Sequence, residues 1–177
     1  MSVPSSVIVI VLAFIAACCV VDVHTRRIPN LLSFPVIIAG LLLNTMWLGM
    51  LGLINSVLGI LLVVAVLIGP FVLGGIGGGD VKMMAAIGAL LGPRLALASL
   101  GTGMALGGVI MAIHLLRLGR LQEKLGATAG MIRAAVMTQS IAPLRVSGDD
   151  ASSAIALPYS VPLGLGTVAV LGLALRG

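Results

Sequence analysis

Residues 53–84 read LINSVLGILLVVAVLIGPFVLGGIGGGDVKMM. As far as Leu73 the stretch carries no charge, and wound as a helix it reaches roughly 30 Å, the thickness of a bilayer's hydrocarbon core. A glycine-rich break then leads to Asp80, after which the sequence turns apolar again. A carboxylate at the edge of a membrane span is costly unless it finds a partner or water, so Asp80 is a candidate functional group rather than a loop ornament.

The rest of the chain agrees with a membrane reading. Of 177 residues, 60% are hydrophobic and 8% charged, with a mean hydropathy of +1.27; a soluble protein of this size would leave large apolar surfaces in water. Working outward from the quoted stretch, a first span is expected over Val7–Val21, a second over Leu31–Leu51 and a third over Leu53–Leu73. A fourth runs from Val81 toward Leu100. It contains Pro93 and Arg94, so it either kinks there or stops near Gly92 in a turn. A fifth then covers Ala96–Leu116 and a sixth Leu157–Leu175. The expected fold is an all-α, polytopic membrane protein of about six transmembrane helices. It forms one domain over residues 1–177, with a cytoplasmic or interfacial loop at 117–156 between helices five and six.

Charge orients it. Arg26, Arg27, Lys82, Arg117, Arg120, Lys124, Arg133 and Arg145 fall after spans one, three and five, against Arg94 and Arg176 for the other face. By the positive-inside rule the first group is cytoplasmic. The net charge of +5 therefore reads as topology and contact with the lipid bilayer, and no nucleic acid is expected as a partner. Within the loop, residues 126–141 mix apolar and basic side chains, as either a helix on the membrane surface or a solvated segment does.

Cys18 and Cys19 are adjacent in the first span and read as small packing residues, with no CxxC pair to hold zinc. His24 and His114 lack a second ligand at metal spacing, so no metal is expected. No basic residue precedes Arg26, which favours retention of the first span over its removal as a signal.

Three of the five acids, Glu123, Asp149 and Asp150, lie in the 117–156 loop. The other two, Asp22 and Asp80, both fall at membrane boundaries on the expected cytoplasmic side. Two carboxylates brought within hydrogen-bonding reach share a proton, which equips one as general base and the other as general acid. Water activated by such a pair attacks a peptide carbonyl, and the chemistry is aspartic proteolysis. The glycines before Asp80 permit close backbone approach by an extended substrate, or serve simply as a turn. Lys82 is either a membrane anchor or a group orienting acid or substrate.

At this point a resemblance becomes specific. Gly77-Gly78-Gly79-Asp80-Val81-Lys82 resembles the GxGD motif of the intramembrane aspartic peptidases that process type IV prepilins. Asp22-Val23-His24-Thr25-Arg26-Arg27-Ile28-Pro29-Asn30 resembles that family's first motif, an aspartate followed at fixed distance by Ile-Pro-Asn, and Leu157-Pro158-Tyr159 resembles its late Pro-Tyr segment. The resemblance implies removal of a basic leader from prepilin or pseudopilin precursors at the cytoplasmic face of a bacterial or archaeal membrane. Asp22 and Asp80 would be the catalytic pair. Gly77, Gly78, Gly79, Lys82, Ile28, Pro29 and Asn30 would bind substrate or shape the site, with no cofactor. Pro29 disfavours helix at Ile28, and Asn30 is placed to cap the second span.

Larger members of that family carry a cytoplasmic domain with paired CxxC motifs and also methylate the new N-terminus. Nothing here corresponds to it, so the chain resembles the short, peptidase-only type of tight-adherence (Flp-type) pilus and related secretion systems, whose assembly components are further expected partners. Two other classes stay open on the residues alone. A small proton- or cation-coupled transporter would use the two acids as carriers and the glycine break as a discontinuous helix, but leaves the Ile-Pro-Asn spacing unexplained. A non-catalytic assembly scaffold would have no need of intact aspartates.

Overall fold

The computed structural model describes residues 4–25, 28–73, 75–117, 119, 126, 130 and 159–176. Among them the chain is helical throughout its regular structure: α1 (Ser5–Thr25), α2 (Asn30–Leu48), α3 (Met50–Val72), α4 (Gly78–Arg117) and α5 (Ser160–Ala174). The first four are long and apolar enough to cross a membrane. This is a polytopic all-α membrane protein. The basic pair Arg26-Arg27 and, apart from Arg117, Gly119, Gly126 and Gly130, the expected 117–156 loop lie outside the described residues.

Helix α4 contains 40 residues, about 60 Å if straight and twice the hydrocarbon thickness. It is not straight. Gly92 breaks it with φ 74° and ψ 178°, a left-handed backbone that a residue without Cβ adopts at little cost, and Pro93 follows. Its two arms, on either side of Gly92, cover the fourth and fifth expected spans. The second arm lies along α5: Gly107 packs against Pro162, and Gly103 against Leu163 and Gly166, which also meets the Ser99 carbonyl. That sequence of contacts makes it antiparallel to α5. The first arm starts at the same end as Ser160 and reaches Gly164 with Met83, so it runs parallel to α5. The arms therefore fold back on each other as a hairpin.

The first arm is the centre of the protein. Every residue from Met83 to Gly92 is buried, as expected of a helix with no polar face to present. Around it α1, α2, α3 and α5 supply a core that includes Val11, Cys18, Val63, Leu67 and Leu163. Helix α3 approaches so closely that a Cβ on Gly88 would lie 2.6 Å from the Gly59 carbonyl oxygen. Small residues at a helix contact are how membrane helices gain packing in the absence of a hydrophobic drive between them. Leu31, Met46, Leu51, Leu61, Val109 and Leu173 are exposed on the outer surface, where lipid tails cover them.

Pro93 has no N–H, so the Ala89 carbonyl one turn earlier loses its helical donor. Asn44 of α2 supplies one: its Nδ2 donates to Ala89 O at 2.9 Å, with Leu90 O at 3.2 Å, and to Ser56 Oγ of α3 at 2.8 Å. One amide thus ties three helices together at the break, satisfying backbone polarity that hydrocarbon cannot.

The ends of the helices differ in places from the sequence expectation. Helix α1 continues a full turn past Val21, so Asp22 lies inside it. Asn30 does not cap α2: Pro29 occupies the N-cap with extended φ −68° and ψ 147°, no side-chain cap bond forms, and Asn30 is the first helical residue. Pro29 sets the helix start by its fixed φ and by barring helix at Ile28, which leaves Asn30 one position too late to cap.

Candidate active site

The glycine run has a local reason for ending in an acid. Helix α4 starts at Gly78, which puts Asp80 in its first turn, where the backbone N–H groups have no helical acceptors. The Asp80 N–H donates to the Gly77 carbonyl at 3.1 Å, and the Gly77 amide hydrogen-bonds the Asp80 carboxylate in return. This is half of a capping box: the acid three residues on reaches back to the cap N–H, while glycine, without a side chain, offers the Asp80 N–H only its backbone carbonyl. A Cβ on Gly77 would lie 3.4 Å from Asp80 Oδ2, so the loop is folded tightly over the carboxylate. The helix start therefore fixes the direction of the Asp80 side chain.

Asp22 reaches the same place from the opposite kind of helix end, in the last turn of α1. The turn below it is closed by side chains: His24 Nδ1 hydrogen-bonds Val20 O at 2.8 Å and Thr25 Oγ1 donates to Val21 O at 2.9 Å. His24 is thereby engaged by its own helix and exposed, in keeping with an interfacial residue. Asp22 itself is 9% exposed and Asp80 7%. The carboxylates are near enough to act on each other electrostatically.

Both line a cavity of about 250 Å³, together with Ile28, Gly77, Gly78, Gly79 and Lys82. Ile28 is buried, and Gly79 packs against it so that a Cβ there would lie 3.2 Å from the Ile28 N, Cβ and Cγ1 atoms. Ile28, just ahead of α2, and the first turn of α4 are thus pressed together as one wall. Lys82 is half-buried at the cavity and has no ion-pair partner among the described residues. Pro29 and Asn30, expected at the site, are exposed and do not line the cavity. No group of three or more His, Cys, Asp or Glu side chains suited to a metal occurs among the described residues.

One side chain at the site is not apparent from the sequence. Ser160, the first residue of α5, is fully buried and its Oγ donates to Asp22 Oδ2 at 2.6 Å. It follows Tyr159 directly, so the Pro-Tyr segment pointed to its neighbourhood, but a lone serine opening an apolar helix carries no signal of its own.

Two buried carboxylates lining one cavity, one of them held by a hydroxyl, can share a proton and activate water against a carbonyl. Comparison with known proteins gives an independent result. No curated protein and no solved structure matches the chain. The type IV leader peptidase family matches residues 9–116, a span that holds most of α1, all of α2 and α3, nearly all of α4 and every cavity-lining residue. The chain belongs to the type IV leader peptidase family.

Proposed function

We propose that the protein is an aspartic endopeptidase, without methyltransferase activity, that removes the basic leader from Flp-type prepilin precursors at the cytoplasmic face of the membrane. The observation that carries this reading is that Asp22 and Asp80, the two acids of the described residues, line one cavity. One carboxylate takes a proton from water as the oxygen attacks the scissile carbonyl, while the other gives its proton to the carbonyl oxygen. The tetrahedral diol then collapses: the carboxyl proton passes to the leaving amine as the C–N bond breaks, and one diol hydroxyl returns its proton to the other carboxylate as C=O re-forms, so the dyad again holds one proton. No metal or cofactor takes part.

Further support for the cytoplasmic face is Lys82 at the cavity, together with the positive-inside reading of the sequence, in which Arg26 and Arg27 follow the first span. The glycine wall leaves room for an extended backbone beside Asp80. The precursor's hydrophobic helix stays in the bilayer, and pilus or secretion assembly components take up the mature product. The sequence carries no paired CxxC motifs, in keeping with a peptidase-only reading.

The test is co-expression of candidate Flp-type precursors in membranes with wild type, Asp22→Ala or Asp80→Ala, reading the size and new N-terminus of the product. Cleavage by wild type and its loss in both variants at unchanged protein level is the expected outcome. Cleavage that persists in either variant removes that aspartate from the chemistry.

A further inference from the structure

Hydroxyl side chains in membrane helices ordinarily bond back to their own helix. Thr45 donates to Leu41 O at 2.6 Å, Thr102 to Ala98 O at 2.8 Å and Thr167 to Leu163 O at 2.9 Å, each one turn back. Ser160 departs from this pattern. It is the first residue of α5, and its proton goes not to its own helix but to Asp22 Oδ2 of α1 at 2.6 Å, across 138 residues of chain.

The two helices are locked at this level. Cys19 Sγ, three residues before Asp22, lies 3.6 Å from the Ser160 carbonyl oxygen as a weak donor. One turn further along α5, a Cβ on Gly164 would fall 2.6 Å from Ile15 Cγ2. The backbone of α5 is therefore seated directly on α1, and the hydroxyl has little freedom to leave the carboxylate.

We propose that Ser160 is the positioning residue of Asp22 in the peptidase reaction, fixing the carboxylate plane through Oδ2 and leaving Oδ1 for water and the shared proton. This rests on the aspartic peptidase reading above. Ser160 acts through Asp22 and makes no contact with the substrate. Losing it frees the Asp22 side chain to rotate, and misplacement of a catalytic group by about 1 Å costs on the order of 100-fold in rate.

The experiment uses the purified full chain in lipid vesicles with a cleavable precursor, comparing wild type, Ser160→Ala, Ser160→Thr, Asp22→Ala and Asp80→Ala. Ser160→Ala is expected to lower kcat roughly 10- to 100-fold with KM and melting temperature close to wild type, and Ser160→Thr, which restores the hydroxyl, to recover most of the rate. Should Ser160→Ala fail to accumulate, Ser160→Gly removes the same hydroxyl and takes its place. An unchanged kcat overturns the assignment. So does a fall in kcat that merely tracks a fall in melting temperature, or a rise in KM at constant kcat. If the aspartate variants lose cleavage and Ser160→Ala does not, the Ser160 assignment alone fails; if either aspartate variant still cleaves, the dyad reading fails and takes the assignment with it.

Discussion

Replacing Gly78 and Gly79 one at a time by alanine tests the cavity wall, because the structure sets a different outcome for these neighbours in sequence. Each substitution in the first turn of α4 gains about 0.5–1 kcal/mol from the smaller entropy of alanine. At Gly78 little opposes that gain: the added Cβ meets only the Phe71 ring edge at 3.4 and 3.9 Å. At Gly79 the Cβ falls 3.2 Å from three atoms of Ile28, one of them backbone nitrogen, inside the ~3.5–4.0 Å of a relaxed carbon contact. Ile28 has little room to yield, since it is 4% exposed and its backbone is restricted by Pro29. Overpacking of this kind costs about 1–3 kcal/mol. Gly78→Ala is therefore expected to be up to ~1 kcal/mol more stable than wild type, and Gly79→Ala anywhere from equal to ~2 kcal/mol less stable. Relief by a shift of a few tenths of an ångström moves a wall of the cavity, at a rate cost of up to about 10-fold if 1 Å costs on the order of 100-fold. Thermal melts in detergent and cleavage rates per folded molecule, measured side by side, decide it. A Gly79→Ala variant as stable and as active as Gly78→Ala would refute the reasoning.

The dyad makes a prediction about pH. Cleavage should follow a bell, falling at low pH as the base is protonated and at high pH as the acid loses its proton, the two limbs belonging to the pair rather than to either residue. A profile with a single ionisation contradicts it. Asn44→Ala should cost about 1–3 kcal/mol of stability by leaving the Ala89 carbonyl and the Ser56 hydroxyl unsatisfied, measured by unfolding in detergent, with activity per folded molecule near wild type because the Gly92 break lies at the far end of the α4 arm from Asp80. Unchanged stability would mean that lipid or water serves those groups equally well.

The sequence was most readable where one residue decides a local geometry. Apolar length located α1 to α3, the Gly92-Pro93 pair marked the place where α4 breaks, and Gly77 to Asp80 announced a helix start with an acid in its first turn. What stayed hidden depends on residues far apart in the chain. Whether α4 kinks or reverses is decided by which residues of its second arm meet α5. The bond from Ser160 to Asp22 spans 138 residues and has no periodicity to betray it. Asn44 is an amide in an apolar span with nothing local to mark it, yet its partners are a carbonyl freed by a proline on another helix and a serine hydroxyl on a third. Asn30 misled because cap preferences describe a residue type, whereas here the proline ahead of it had already fixed where the helix begins.

The long separation between Asp22 and Ser160 also orders the making of the enzyme. A ribosome adding about 5–20 residues per second needs roughly 7–28 s to go from one to the other, and Asp80 emerges in between. During that interval the nascent chain already possesses both carboxylates but not the hydroxyl that holds one of them. Peptidase competence is in this way deferred until α5 has been synthesised and inserted, and a ribosome that stalls between Arg117 and Ser160 leaves behind a membrane protein with its acids in place and its chemistry unassembled.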